Sequence, residues 1–287
     1  MLPPVVKEAC EEKLGLPVTR ASFIGGGDIN EARLLETTQG PFFLKMNARP
    51  GAIRMFETEA QGLQLLRDSE AIRVPQTIGA GEAGGYAFLI LEYIQEAARS
   101  RQFWDNFGRA LASLHRHTDN HFGLGHDNYI GSLPQSNQQH DTWAEFYVLE
   151  RLEPQARKAI SEKGLWAGAT AGFGRLYNRI AEICPEEPPA LIHGDLWSGN
   201  FISAHSQVPV LIDPAAGYAH REMDLAMSQL FGGFSPFFYQ AYEAAYPCQP
   251  GLDERIDIYQ LYYLLVHVNL FGGGYVSPVQ RIVARYA

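Results

Sequence analysis

Two short apolar runs, Ala190–His193 and Val208–Asp213, each deliver a reactive side chain at their end, and this pairing constrains the chain more than any other feature. The first run continues as His193-Gly194-Asp195-Leu196-Trp197-Ser198-Gly199-Asn200. Runs of this length and apolarity read as short buried strands. A carboxylate just beyond such a strand is held in place and can accept a proton from a hydroxyl group. An asparagine five residues after Asp195 can return to the same cleft as a metal ligand, and Asp213, thirteen residues after Asn200, can hold Mg²⁺ from the end of the second strand. Each element alone reads as an ordinary turn. In this order and at this spacing they point to one site.

The spacing matches the H-R-D-x-x-x-x-N catalytic loop of protein kinases, with Gly194 in place of the arginine, and Asp213 stands where the aspartate of a D-F-G segment would. Phosphoryl transfer from ATP needs a cradle over the phosphates, a positive clamp, and carboxylates that hold Mg²⁺ beside the acceptor. Lys45 closes the apolar run Phe42-Phe43-Leu44 and is the expected clamp. Its expected partner on the next helix is Glu59, with Leu63 and Leu66 on adjoining faces, and Glu57 is the alternative. Gly25, Gly26, Gly27, Asp28, Ile29 and Asn30 lie between the first two predicted strands, where a phosphate loop belongs. Glu92, Tyr93 and Ile94 end the last strand of the first lobe and are the expected hinge, its backbone facing adenine. No A-P-E segment follows Asp213, which argues against a protein-substrate kinase.

Strands are predicted at Arg20–Ile24, Glu31–Thr37, Phe42–Met46 and Tyr86–Tyr93, with a single helix, Ile53–Arg67, in this part of the chain. Beyond Ile94 the pattern turns helical: Phe103 to His115, then about Thr142–Ser161, Thr170–Ile183, Ser235–Tyr246 and Asp253–Asn269. The reading is α+β and two-lobed: residues 1–94 form a small antiparallel-sheet nucleotide-binding lobe with one helix, and residues 95–287 form a larger helical lobe carrying the catalytic loop. His115 and His117 read as a polar helix end, since an i,i+2 pair does not share a helical face. Tyr259, Tyr262, Tyr263 and His267 read as a core helix with one edge lining the pocket.

The formal charge of −9, from 23 basic and 32 acidic residues, argues against a nucleic-acid partner and weakly favours cationic substrates. Cys10, Cys184 and Cys248 show no metal-ligand spacing and suggest free thiols in a reducing compartment. The apolar stretch Ile258–Phe271 is shorter than the roughly 20 residues that span a bilayer. No signal peptide is evident, and the expectation is a cytoplasmic protein without a membrane partner.

Taken together, LIHGDLWSGN, GGGDIN, FFLKMN, FGLGHDNYIGSLPQSN, RLEPQ, AGYAHREMDLAMSQLFGGF and YQLYYLLVHVNLFGGGY resemble the fructosamine/ketosamine-3-kinase family over nearly the whole chain. That family is related to aminoglycoside phosphotransferases and choline kinases, within the protein-kinase-like superfamily. The resemblance implies ATP- and Mg²⁺-dependent phosphorylation, at the sugar 3-hydroxyl, of fructosamine or ribulosamine adducts on amines or protein lysines, a deglycation step. It implies Asp195 as base, Asn200 and Asp213 as metal ligands, and Lys45 with Glu59 as the phosphate clamp. By the same resemblance Trp197, Asp127, Asn128 and Glu222 are candidate substrate contacts, and His193 and Asp224 support the catalytic loop. Other acceptors, such as an aminoglycoside, a choline-like amine or a free sugar, and a non-catalytic nucleotide-binding role are the alternatives. Many members carry a cysteine in the phosphate loop, but here Gly27-Asp28-Ile29 holds none, so redox-linked dimerisation is not expected.

Overall fold

The computed structural model describes residues 1–25 and 30–287. The chain opens with helix α1 (Pro4–Leu14), started by a proline at its first position and closed by Gly15 in the left-handed region. Strands β1 (Val18–Phe23), β2 (Glu31–Thr37) and β3 (Gly40–Asn47) follow, then helix α2 (Ala52–Asp68) and strands β4 (Thr77–Ala83) and β5 (Tyr86–Glu92). The five strands form one antiparallel sheet in the order β1-β2-β3-β5-β4.

Side chains alternate across a pleated strand, so β3 serves both faces of this sheet. Leu44 and Met46 pack with Val6 and Cys10 of α1. Phe43, one residue out of phase, joins Phe56, Leu63 and Leu66 of α2. Lys45 shares that parity and therefore points to the α2 side. The expected single helix is thus one of two, with α1 covering the opposite face. Strand β4 was also unforeseen, because Gly79 and Gly81 depress strand propensity. Gly81 pairs with Phe88 on β5, whose ring fills the space a Cβ would take.

The second half begins with helix α3 (Arg101–Leu114), whose first turn is capped by the Ser100 hydroxyl accepting from the Phe103 amide. A short hairpin, β6 (Asn128–Ile130) and β7 (Leu133–Gln135), precedes α4 (Trp143–Phe146), a π-helical turn (Tyr147–Leu152) and α5 (Glu153–Lys163). The helix expected over Thr142–Ser161 is therefore broken by a wider turn. Helices α6 (Ala169–Tyr177) and α7 (Ile180–Ile183) lead to β8 (Ala190–Ile192), β9 (Phe201–Ala204), β10 (Val208–Leu211) and β11 (Gly217–Ala219). Helices α8 (Glu222–Leu230), α9 (Pro236–Ala245), α10 (Leu252–Phe271) and α11 (Val276–Tyr286) complete the chain. Helix α10 buries residues all round its circumference, Ile258 to Leu265 among them, and forms the axis of this half.

One apolar cluster runs through both halves, joining Phe56 and Leu66 of α2 and Leu91 of β5 to Phe103, Phe107 and Leu111 of α3, Leu196, Phe201 and Leu211. It includes Leu191 of β8 and Leu211 of β10 and fixes the sheet relative to those strands. The architecture is the α+β protein-kinase-like fold: an antiparallel five-stranded sheet with its helices, set against a larger helical body. Among the described residues no helix is long and apolar enough to cross a membrane.

Candidate active site

Strand β8 pairs antiparallel with β11 and leads directly into His193, which is fully buried. The His193 ring donates from Nε2 to the Ile212 carbonyl (2.8 Å) and accepts the Asp195 amide at Nδ1 (3.2 Å). Burial lowers its pKa, the nearby Asp224 carboxylate opposing, so the ring remains neutral and keeps this tautomer. Gly194 sits at φ +83°, and a Cβ there would fall inside contact with the Ala215 carbonyl oxygen. The site requires glycine where protein kinases place arginine. Tyr263 of α10 donates its hydroxyl to the Gly194 carbonyl (3.0 Å), and Asp224 accepts the amides of His193 (2.7 Å) and Gly194 (2.8 Å).

This scaffold presents Asp195. Asn200 Nδ2 donates to the Asp195 main-chain carbonyl (2.8 Å) and to its Oδ2 (3.0 Å), while the Asn200 carbonyl accepts the Ile212 amide (3.0 Å). The loop is thereby tied to the end of β10, one residue before Asp213. Asp213 adopts φ +55°, a left-handed conformation rare for non-glycine residues and concentrated at functional positions. Its Oδ1 lies 2.5 Å from Lys45 Nζ, and the ammonium also donates to Glu59 Oε1 at 2.7 Å. Glu57 is exposed on the other side of α2, so Glu59 is the partner.

Burial disfavours charge here, but not uniformly. It works against the Lys45 ammonium, yet Asp213 and Glu59 more than offset it and hold the pKa above the ordinary lysine value. Glu59 is pushed up to about 7 by burial, with Lys45 opposing and Asp213 adding. Asp195 is likewise pushed up to about 7, chiefly by burial and then by Asp213, with the Asn200 hydrogen bond opposing. A carboxyl poised near neutrality beside a cluster of oxygen ligands suits general-base chemistry.

Gly26, Gly27, Asp28 and Ile29 lie outside the described residues. Of the flanking positions, Gly25 has no atom of the described residues within 4 Å of where its Cβ would lie, and Asn30 accepts from Asn47 Nδ2 at the end of β3 (2.8 Å). Glu92 directs its carboxylate to Arg73 (2.5 Å) and the Gln76 amide (3.1 Å), and its own amide donates to the Gln76 carbonyl (2.8 Å). Ile94 packs on Ala204 and Val210 of the β9–β10 hairpin.

Two expected substrate contacts are corrected. Glu222 is wholly buried and bidentate with Arg255 of α10 (2.8 and 2.5 Å), so its carboxylate is committed within the protein. Asn128 is buried as well: its amide donates to the Ala216 carbonyl (2.9 Å) and its Oδ1 accepts from Gln135 (2.7 Å) and Asn137 (3.0 Å). The hairpin β6–β7 thus braces the segment after Asp213. Asp127 is exposed and accepts the Asn137 amide (2.9 Å). Trp197 is 37% exposed, its ring folded over Gly199. Tyr263, on the helix expected to line the pocket with one edge, contacts the loop through the Gly194 carbonyl. Replacing Arg255 by methionine strands the Glu222 charge and is expected to cost about 3–5 kcal/mol, read from the denaturant midpoint. The same change should leave KM for the acceptor near its original value.

The fructosamine kinase family model matches residues 4–287. An Enterococcus faecium protein assigned as a ketoamine kinase is 39% identical, over 91% of this chain and 93% of its own. The chloroplastic protein-ribulosamine 3-kinase of Arabidopsis thaliana is also 39% identical, over 99% of this chain and 87% of its own. A Thermobifida fusca crystal structure assigned to the fructosamine-3-kinases superposes with a TM-score of 0.87 at 34% identity, covering 98% of each chain. The likeness extends over nearly the whole chain, and the chain belongs to the fructosamine kinase family.

Proposed function

We propose that this protein transfers the γ-phosphoryl group of ATP to the 3-hydroxyl of ketosamines, fructosamine or ribulosamine adducts of amines and protein lysines, with Asp195 as general base. The observation that carries this reading is the convergence of Asp195, Asn200, Asp213 and Lys45, from three separate segments, on one cleft. Likeness to ketoamine and ribulosamine kinases supports the acceptor class.

In this reading the acceptor hydroxyl donates to Asp195. As its oxygen forms the new bond to phosphorus, its proton passes to the Asp195 carboxylate, and the bond between the γ-phosphorus and the ADP oxygen breaks. Asn200 holds the carboxylate in line for that transfer, and Lys45, kept protonated by Glu59, offers its ammonium to the phosphates. The donor set suits Mg²⁺. Asp213 provides a carboxylate, and Asn200, its amide nitrogen committed to Asp195, retains its carbonyl oxygen; both are hard oxygen donors. Bound there, Mg²⁺ would neutralise charge on the phosphates. Lobes of 1–94 and 95–287 would then close over the nucleotide about Glu92-Tyr93-Ile94, with Gly25 to Asn30 as the phosphate loop. Three free thiols fit a reducing compartment, and we place the reaction in the cytoplasm.

The test is a panel of acceptor alcohols with ATP and Mg²⁺. Ketosamines are expected to exceed aminoglycosides, choline-like amines and free sugars by about 100-fold or more in kcat/KM. Turnover of another alcohol alone would move the assignment to that acceptor. ATP binding without turnover of any acceptor would point to a non-catalytic nucleotide-binding protein.

A further inference from the structure

Behind the catalytic loop runs a buried polar chain that the phosphoryl-transfer chemistry does not itself require. Asp224, wholly buried, accepts two main-chain amides of the loop and makes a third contact, from Oδ2 to His115 Nε2 (3.2 Å). His115 ends α3 and is also wholly buried. Its Nδ1 lies 2.8 Å from the Tyr242 hydroxyl on α9. Tyr242 in turn receives Arg221 Nη1 (3.3 Å), and Arg221 is anchored bidentately on Glu187 (2.6 and 2.8 Å) and stacked over Tyr246.

The proton positions follow from donor counting. A carboxylate can only accept, so His115 Nε2 carries the proton shared with Asp224. Arginine can only donate, so Arg221 supplies the Tyr242 oxygen. The Tyr242 hydroxyl proton then finds its acceptor at His115 Nδ1. Every donor in this order has an acceptor: Arg221 to Tyr242, Tyr242 to His115, His115 to Asp224. The reverse orientation at His115 would give the Tyr242 oxygen two donors and leave its own proton without an acceptor among the contacts seen here.

We propose that His115 and Tyr242 are positioning residues for phosphoryl transfer, forming with Arg221 a one-directional hydrogen-bond chain that holds the Asp224 carboxylate against His193 and Gly194 and so sets the orientation of Asp195. Three donors converge on one carboxylate, and the two main-chain donors belong to the residues immediately before the base. Without the His115 donor, Asp224 keeps room to rotate and the loop can shift by fractions of an ångström. The proposal rests on the kinase reading only for its kinetic readout.

The experiment compares His115→Leu, His115→Gln and Tyr242→Phe with the wild type, with kcat expressed per ADP-binding site at a temperature well below every melting point. His115→Leu is expected to lower kcat about 10- to 100-fold, with KM for ATP within about 2-fold, because positioning acts on the transfer step. His115→Gln, whose amide can still donate to Asp224, should recover most of the loss. Tyr242→Phe, which removes only a hydroxyl, should fall between them. Hydrogen exchange at the His193 and Gly194 amides should quicken in His115→Leu and Tyr242→Phe relative to the rest of the chain. Unchanged kcat and unchanged exchange in these two variants, with only a lowered melting temperature, would overturn the proposal. So would a glutamine variant no better than leucine. Should His115→Leu fail to fold, Tyr242→Phe decides. Should the wild type phosphorylate no acceptor, the kinase reading fails and loop exchange still decides this one.

Discussion

Asp195→Asn is expected to lower kcat by about 10²- to 10⁴-fold, the range associated with loss of a positioned general base, while leaving ATP affinity nearly intact. The asparagine keeps the shape of the loop and can still pair with Asn200, but cannot take the acceptor proton. The same substitution is expected to raise stability. The Asp195 carboxyl has a folded-state pKa of about 7 against an ordinary value of 3.8, so between these values the unfolded chain releases the proton first. Its ionisation therefore disfavours the folded state progressively as pH rises from about 4 through 7. The group is only half-buried, so solvent screening discounts the effect to about 1 kcal/mol at pH 8. That corresponds to a melting temperature about 2–4 °C higher for the variant, a gap that should close below pH 4. Activity runs the other way: the base must be ionised, so kcat/KM should climb with pH through about 7. Saturating Mg²⁺ places a cation beside the same carboxylate and should move that inflection in kcat downward. A variant that loses activity and stability together would contradict the desolvated-base account.

What the sequence disclosed and what it hid divide along contact range. Asp195, Asn200 and Asp213 announce themselves because strand, turn and spacing are local, and Glu59 is preferred to Glu57 because Leu63 and Leu66 follow it on adjoining helical faces. Glu222 and Asn128 misled for the complementary reason. The family resemblance suggested substrate, but their partners, Arg255 and the Ala216 carbonyl, lie 33 and 88 residues away. A buried polar side chain must be satisfied somewhere, and periodicity says nothing of where. His115 was read as a polar helix end on the same footing, its partner Asp224 being 109 residues distant. Helix α1 escaped because only Val6 and Cys10 are buried along it, too few to make a stripe. The π turn at Tyr147–Leu152 has no periodic signature that distinguishes it from the helices it joins.

Asp213 provides the second large effect, because two demands meet on one residue. Its carboxylate serves Lys45 now and Mg²⁺ in the proposed reaction, and its backbone holds a left-handed φ of +55°. Asp213→Asn should lower kcat/KM by about 10³-fold at saturating Mg²⁺, since an amide oxygen ligates the cation weakly and leaves phosphate charge less neutralised. Asparagine tolerates the left-handed region, so stability should change little. Alanine loses the ligand as well and adds a backbone penalty of about 1–2 kcal/mol, whereas glycine loses the ligand without that strain. The three variants are therefore expected to be similarly impaired in turnover yet ordered in stability, with alanine lowest. Lys45 distinguishes this from simple charge removal: in each variant it keeps Glu59 as a partner at 2.7 Å, so nucleotide binding without Mg²⁺ should survive. Measuring ADP affinity with and without Mg²⁺ across the series separates the two roles. If all three variants bound ADP with undiminished Mg²⁺ dependence, Asp213 would not be the metal ligand, and its strained backbone would serve only the ion pair with Lys45.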